Sequence, residues 1–271
     1  MPLPNSALIT LSPLTLANGM TISQSHLHPL IDELSSACTT GDVATVQRIL
    51  SELDPFSPDT LPTKAHIALQ QALQSAVQNH HHSIVRLLLA HGMLPFPLSS
   101  VGLLAAFQQS DIKMLKTFIE GGWDVNEPGR RDGAVNEPGQ SLRPLLFHAL
   151  SNADLRRFLL EQGANPNVQN QRGMTPLELA AEMYDIEIVR ELLQHGGDPS
   201  GDDSLVLAAA KGKLDVVQLL VEAGAGDLNR VEKVLPMPWG QRRRRTAVEA
   251  AREARHEEVV RWLEERASPS S

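Results

Sequence analysis

The chain has 271 residues, 42% of them hydrophobic and 21% charged, with a formal net charge of −8. That is an ordinary composition for a soluble chain, and its acidic balance argues against indiscriminate nucleic-acid binding. No run approaches the ~18 apolar residues of a membrane span, and Met1-Pro2-Leu3-Pro4-Asn5-Ser6 lacks the basic and then apolar start of a secretory signal.

Residues 1–29 match nothing that follows. They are expected to form a terminal cap, with a partner-binding arm as the alternative reading. Within them Pro13–Ile22 reads as a short hairpin turning at Asn18-Gly19. His26 and His28 would share one face of a strand as possible metal ligands, although no third ligand is identifiable. Ser36-Ala37-Cys38-Thr39-Thr40-Gly41-Asp42, followed by Val46, Ile49 and Leu50, opens a series of small-residue helices, each trailed by an apolar stripe. Cys38 is the lone cysteine, so it forms no internal disulfide. It is expected to be a packed thiol in a reducing compartment.

An exit phrase recurs down the chain: Leu88-Leu89-Ala90-His91-Gly92, then Phe118-Ile119-Glu120-Gly121-Gly122-Trp123, then Leu159-Leu160-Glu161-Gln162-Gly163-Ala164, and later Leu219-Leu220-Val221-Glu222-Ala223-Gly224-Ala225. Gly92, Gly122, Gly163, Gly196 and Gly224 suit helix C-termini, where the left-handed conformation favours glycine. His80-His81-His82 precedes one apolar stripe. Consecutive helical residues point in different directions, so the run predicts a solvated turn, and no metal or cofactor site is expected.

Two loops are long. The first repeats a pentapeptide, Val125–Gly129 and Val135–Gly139, with Arg130 and Arg131 between the copies. The second runs from Gly226 to Arg245 and contains Pro236-Met237-Pro238-Trp239-Gly240. Loops of such length are functional or disordered. Trp123 opens the first loop, where it either packs over a neighbour or meets a partner.

The fullest unit begins Thr175-Pro176-Leu177-Glu178-Leu179-Ala180-Ala181 and continues Ile186–Leu193 to His195-Gly196-Gly197-Asp198-Pro199. Its opening returns as Ala208-Ala209-Ala210-Lys211-Gly212 and as Thr246-Ala247-Val248-Glu249-Ala250-Ala251. About seven units fit a period near ~33 residues. This chain resembles the ankyrin-repeat family over roughly residues 30–266, with repeat 5 fitting best and repeat 6 next. The family's His of the Thr-Pro-Leu phrase is Glu178 here, and its turn Gly is Tyr184 in repeat 5 and Arg255 in repeat 7. The resemblance implies an all-α ankyrin-repeat solenoid over residues 30–266, a short N-terminal cap over 1–29 and a frayed tail at 267–271. It also implies a non-catalytic protein–protein interaction module. Alignment with the family gives surface positions at Gln171, Arg172, Met174, Glu182 and Met183, continued by Lys211 and Lys213. Tyr184, Trp123, Trp239, Arg130 and Arg131 complete the expected partner-binding set.

Arg242-Arg243-Arg244-Arg245 is the sharpest charged feature. It reads as a solvated helix start, as a nuclear-import signal, or as a direct nucleic-acid contact, which the shortage of aromatics and of a broad basic surface disfavours. There is no nucleophile elbow, His-Glu-x-x-His or phosphate loop. The expected function is a regulatory adaptor, with a transcriptional coregulator as the specific hypothesis. It would be monomeric on its own, bind another protein, require no cofactor, and work in nucleus or cytoplasm. The alternative is an enzyme or accessory subunit built on the repeats, which would need a pocket of converging polar groups.

Overall fold

Helices in this chain end by a repeated local event: the chain turns through a left-handed residue and the next N–H bonds back into the helix. The computed structural model describes residues 14–15, 21–22, 24–53, 63–92, 106–126, 144–170, 172–229, 231 and 245–267. These fall into two compact units, 1–123 and 124–271, dividing between repeats 3 and 4.

The first unit opens with strands β1 (Leu14–Thr15) and β2 (Thr21–Ile22), antiparallel with Leu14 opposite Ile22 and Thr15 opposite Thr21. The expected Asn18-Gly19 turn lies outside the described residues. Helix α1 (Gln24–Thr40) begins earlier than the boundary at residue 30 and runs through Pro29. His26 and His28 therefore lie on a helix, not on a strand. Helices α2 (Val43–Leu53), α3 (Thr63–Gln78), α4 (His82–Ala90) and α5 (Ile112–Glu120) follow, with 106–108 helical before α5. The first helices of repeats 1 and 2, α1 and α3, pack together, as do the second helices α2, α4 and α5 in turn.

The second unit holds α6 (Leu145–Ala149), α7 (Ala153–Glu161), α8 (Pro176–Met183), α9 (Ile186–Gln194), α10 (Ser204–Ala210), α11 (Leu214–Glu222), α12 (Ala247–Glu253) and α13 (Glu257–Ala267). Here α8, α10 and α12 form one row of first helices, and α9, α11 and α13 a second row behind them. The small residues explain the first row: Ala180, Ala181, Ala208, Ala209, Ala250 and Ala251 are wholly buried, so neighbouring helices approach closely. Val189, Leu192, Val216, Val217, Leu220, Val259 and Leu263 make the buried stripe of the second row. Stacking closes a core that no helix pair could close alone.

Second helices end alike. Gly122 (φ 95°) donates its N–H to Ile119 O, and Trp123 N–H reaches back to Phe118 O at 3.0 Å. Ala164 to Leu159, Gly197 to Leu192 and Ala225 to Leu220 repeat that six-residue closure. First helices use the same device: Asp42, His81, Asp111, Lys213 and His256 each donate to an alanine carbonyl five residues back. The left-handed residue before each is Gly41, His80, Ser110, Gly212 and Arg255. Repeat 5 departs. Tyr184 has φ −118°, extended backbone, and its N–H simply bonds Ala180 O. Cys38, beside Ala37 in the small-residue row, is wholly buried, and that burial pushes its thiol up to about 12.

Candidate interaction surface

Repeat 5 is built around a capping box. Thr175 N-caps α8, its Oγ1 accepting the Glu178 N–H, while the Glu178 carboxylate accepts the Thr175 N–H at 2.6 Å. The other Glu178 oxygen accepts the Asp203 N–H at 2.8 Å, and Thr175 Oγ1 donates to Asp202 at 2.8 Å. Glu178, standing where the family carries His, thus fastens α8 to the start of α10. Arg156, buried in α7, ties repeat 4 to repeat 5: its Nε donates to Glu191 at 2.7 Å and its Nη1 to Leu150 O at 2.6 Å.

The exit loops form a second ladder. Asp124, Asn165, Asp198 and Asp227 each accept a backbone N–H two residues on. Asn126 donates to Gly163 O and accepts the Asn165 N–H, and Asn167 does the same with Gly196 O and the Asp198 N–H. In repeat 5 this position is Ser200, whose hydroxyl turns instead to its own neighbour Asp198. A recess of about 80 Å³ lies at that step, lined by Pro199, Ser200, Leu205, Val206 and Ala225.

These supports leave a short outer strip at the two ends of α8. Arg172 is exposed just before the capping box. At the other end Met183 is 66% exposed, one of three large hydrophobic residues so placed among the described residues. Beside it Glu182 pairs with Lys211 of repeat 6 at 3.5 Å, both in contact with solvent. Tyr184 is half-buried and its carbonyl accepts a hydrogen bond from Lys213 Nζ at 2.6 Å. Burial is the largest influence on Lys213 and moves its ammonium below the ordinary value, against the pull of Asp185 and Asp215. Lys213 thus ties the start of α11 to the turn of repeat 5.

Met174, expected at the surface, is inside, and Trp123 takes the packed one of its two readings. Met174 is 8% exposed and Trp123 is 2% exposed. Both positions were readable from the motifs. Met174 precedes the N-cap, where an apolar residue staples the helix start. Trp123 follows the left-handed glycine, where an apolar residue packs back on the helix, and its counterparts Ala164 and Ala225 are equally buried. The Trp123 indole N–H has no partner among the described residues. Arg245 is not a free member of a basic run. It is 19% exposed and pairs with Glu253 at 3.2 Å. Arg130, Arg131, Gln171, Trp239, Arg242, Arg243 and Arg244 lie outside the described residues.

The His80-His81-His82 run lies at the expected turn, and two of its rings come together there. Only His82 belongs to a helix, because His80 is left-handed (φ 59°) and His81 is the N-cap. The rings therefore alternate. His81 lies over Gly41 and Thr39 O, whereas His80 Nδ1 and His82 Nε2 converge on Asp111 Oδ2 at 2.7 and 3.0 Å. Asp111 Oδ1 meanwhile caps α5 by accepting the Met114 N–H at 3.0 Å. Burial would raise the Asp111 carboxyl, but the bonds from His80, the Met114 N–H and His82 outweigh it and hold it below the ordinary value.

Comparison with known proteins agrees with the repeat geometry. A family model described as ankyrin repeats (3 copies) matches residues 102–203 and 145–232. Cyclin-dependent kinase 4 inhibitor B of Rattus norvegicus is 34% identical over 113 residues, which is 40% of this chain and 78% of that protein. Ankyrin repeat domain-containing protein 63 of Mus musculus is 42% identical over 72 residues, 25% of this chain and 18% of that protein. Ankyrin repeat and KH domain-containing protein mask-1 of Caenorhabditis elegans is 29% identical over 232 residues, 72% of this chain but 8% of that protein. The chain thus spans under a fifth of the second and third of these relatives and most of the first. No helix among the described residues is long and apolar enough to cross a membrane. With helix pairs that recur along the described residues and close in most repeats by one turn chemistry, the chain belongs to the ankyrin-repeat family and is a protein–protein interaction module.

Proposed function

We propose that this chain is a regulatory adaptor that docks a partner protein on the strip at the ends of α8 and the outer end of α10. The observation that carries this reading is Met183, a large apolar side chain left 66% exposed on a helix whose start is fixed by a full capping box. The capping box and the Glu178 and Asp202 bonds hold that helix in place before any partner arrives, so docking orders little on this side. The Glu182–Lys211 pair at 3.5 Å is solvent-exposed. Such a pair is worth only about 0–1 kcal/mol, so a partner carboxylate can take Lys211 at little cost. Arg172 adds a planar donor at the other end. The relative named as a kinase inhibitor supports regulation by binding as the mode of action.

The finer reading is a transcriptional coregulator that acts as a monomer and enters the nucleus through Arg242–Arg245 with direct nucleic-acid contact playing no part. Affinity capture with the intact chain, compared with Met183→Asp and Arg172→Glu, tests the strip. Capture of the same proteins in the same amounts by all three would remove it. Replacing the four arginines by alanine tests import, and an unchanged nuclear fraction would remove that part alone.

A further inference from the structure

We propose that His80, His82 and Asp111 form a binding site for a divalent d-block cation, Zn²⁺ foremost, that staples repeat 2 to repeat 3. The donor set is two imidazole nitrogens and one carboxylate oxygen, each on a different residue, all within 4.8 Å of one another. Two nitrogens and one oxygen leave room for solvent as a fourth ligand, a combination suited to zinc and its neighbours rather than to calcium or magnesium.

Tetrahedral bonds of about 2.0–2.1 Å set ligand atoms about 3.3 Å apart. The separations from Asp111 Oδ2 are 2.7 Å to His80 Nδ1 and 3.0 Å to His82 Nε2, so a cation requires the rings to withdraw by a few tenths of an ångström. His80, with its side chain 52% exposed, has room to do so, and it leaves an open approach from solvent.

The surroundings are arranged for this. Asp111 is 12% exposed and is anchored through Oδ1 to the α5 N-terminus, which aims Oδ2 at both rings. His80 occupies the left-handed position that Gly41 and Gly212 fill in other repeats. A bulky residue there costs conformational energy. That conformation also rotates the His80 ring to the same side as His82, while His81 turns away to Gly41.

The test uses the full chain without a polyhistidine tag, titrated calorimetrically with Zn²⁺ alone. His80→Gly removes one ligand while placing in the left-handed position the residue that suits it. Its metal-free melting temperature is therefore expected to match or exceed that of the parent. His82→Gln removes the second ligand. The expected result is one equivalent of Zn²⁺ bound by the parent, with a rise in melting temperature as Zn²⁺ is added. Each variant should bind more than about tenfold more weakly, since loss of a direct ligand costs at least what loss of a supporting contact does. A His195→Gln control, at an exposed histidine elsewhere, should bind as the parent does. The proposal is overturned if the parent takes up no Zn²⁺ at tens of micromolar, or if either ligand variant binds with unchanged stoichiometry and affinity.

Discussion

Arg156 and Arg157 are neighbours on α7, and both face Glu191, yet their removal should differ sharply. Arg156 is 6% exposed and makes two charge-assisted bonds, to Glu191 at 2.7 Å and to Leu150 O at 2.6 Å. Arg157 is 62% exposed and only 3.9 Å from the same carboxylate. Hydrogen bonds to charged groups contribute about 1.5–3 kcal/mol each, so Arg156→Met forfeits roughly 3–6 kcal/mol. The thioether side chain refills part of the space, and Glu191, itself 16% exposed, regains some solvent and keeps Arg157 nearby. The net loss should be about 2–4 kcal/mol. For a unit this size each kcal/mol lowers Tm by about 2–4 °C, which makes the expected drop roughly 4–16 °C. Arg157→Met should cost no more than about 0.5 kcal/mol, because an exposed pair is weak. Thermal unfolding followed by far-UV circular dichroism separates the two. Equal drops, or an Arg156→Met drop no larger than that of Arg157→Met, would refute the account of Arg156 as the tie between repeats 4 and 5.

Gly212 is left-handed at φ 71°, and a methyl group there would overlap the His256 ring of the next repeat. Gly212→Ala should therefore lose about 2–3 kcal/mol, visible as a lower urea midpoint, and adding His256→Ala should recover the part due to overlap. Arg255→Gly, at φ 62°, should move the midpoint the other way by up to about 1 kcal/mol. Cys38 should resist a thiol reagent at pH 8 in the folded chain and react freely in urea, because burial holds the thiol protonated up to about 12. The unfolded thiol ionises near 9.0, lower than the folded one, so the stabilisation linked to Cys38 is complete below that pH and lost as pH rises toward about 12. The urea midpoint should fall across that window less in Cys38→Ala than in the parent, and equal falls would contradict the assignment.

The repeat period, the small-residue row and the exit glycines were all legible because each rests on local chemistry. Alanine permits close packing wherever a helix meets its copy, and glycine is favoured at φ 85–95° in Gly122, Gly163 and Gly196. What could not be read was the second partner of each group. Glu178 meets Asp203 from 25 residues away, Arg156 meets Glu191 from 35, and Asn126 meets Gly163 from 37. One repeat length separates such pairs, so nothing in a short window of sequence links them.

The two partner-binding candidates found inside share a cause in the place each holds within the closing motif. Met174 and Trp123 resemble contact residues, but one sits at the staple position and the other directly after a left-handed glycine, and both places face inward. The histidine run falls at a turn as expected, but the divergence of three consecutive rings holds only on a helix. At this point of the repeat the chain passes through one left-handed residue and one N-cap before the helix starts, so side chains two apart return to the same side. The same register sets His81 over Gly41, His80 against Asp111, Lys213 on Tyr184 O and His256 over Gly212. In each of these four places the residue at the N-cap of one repeat meets the turn of the repeat before it. Chemistry at this seam is therefore decided by pairs of residues about one period apart. A glycine there receives a ring, a carbonyl receives an ammonium, and a histidine opposite an aspartate receives a second histidine from its own turn.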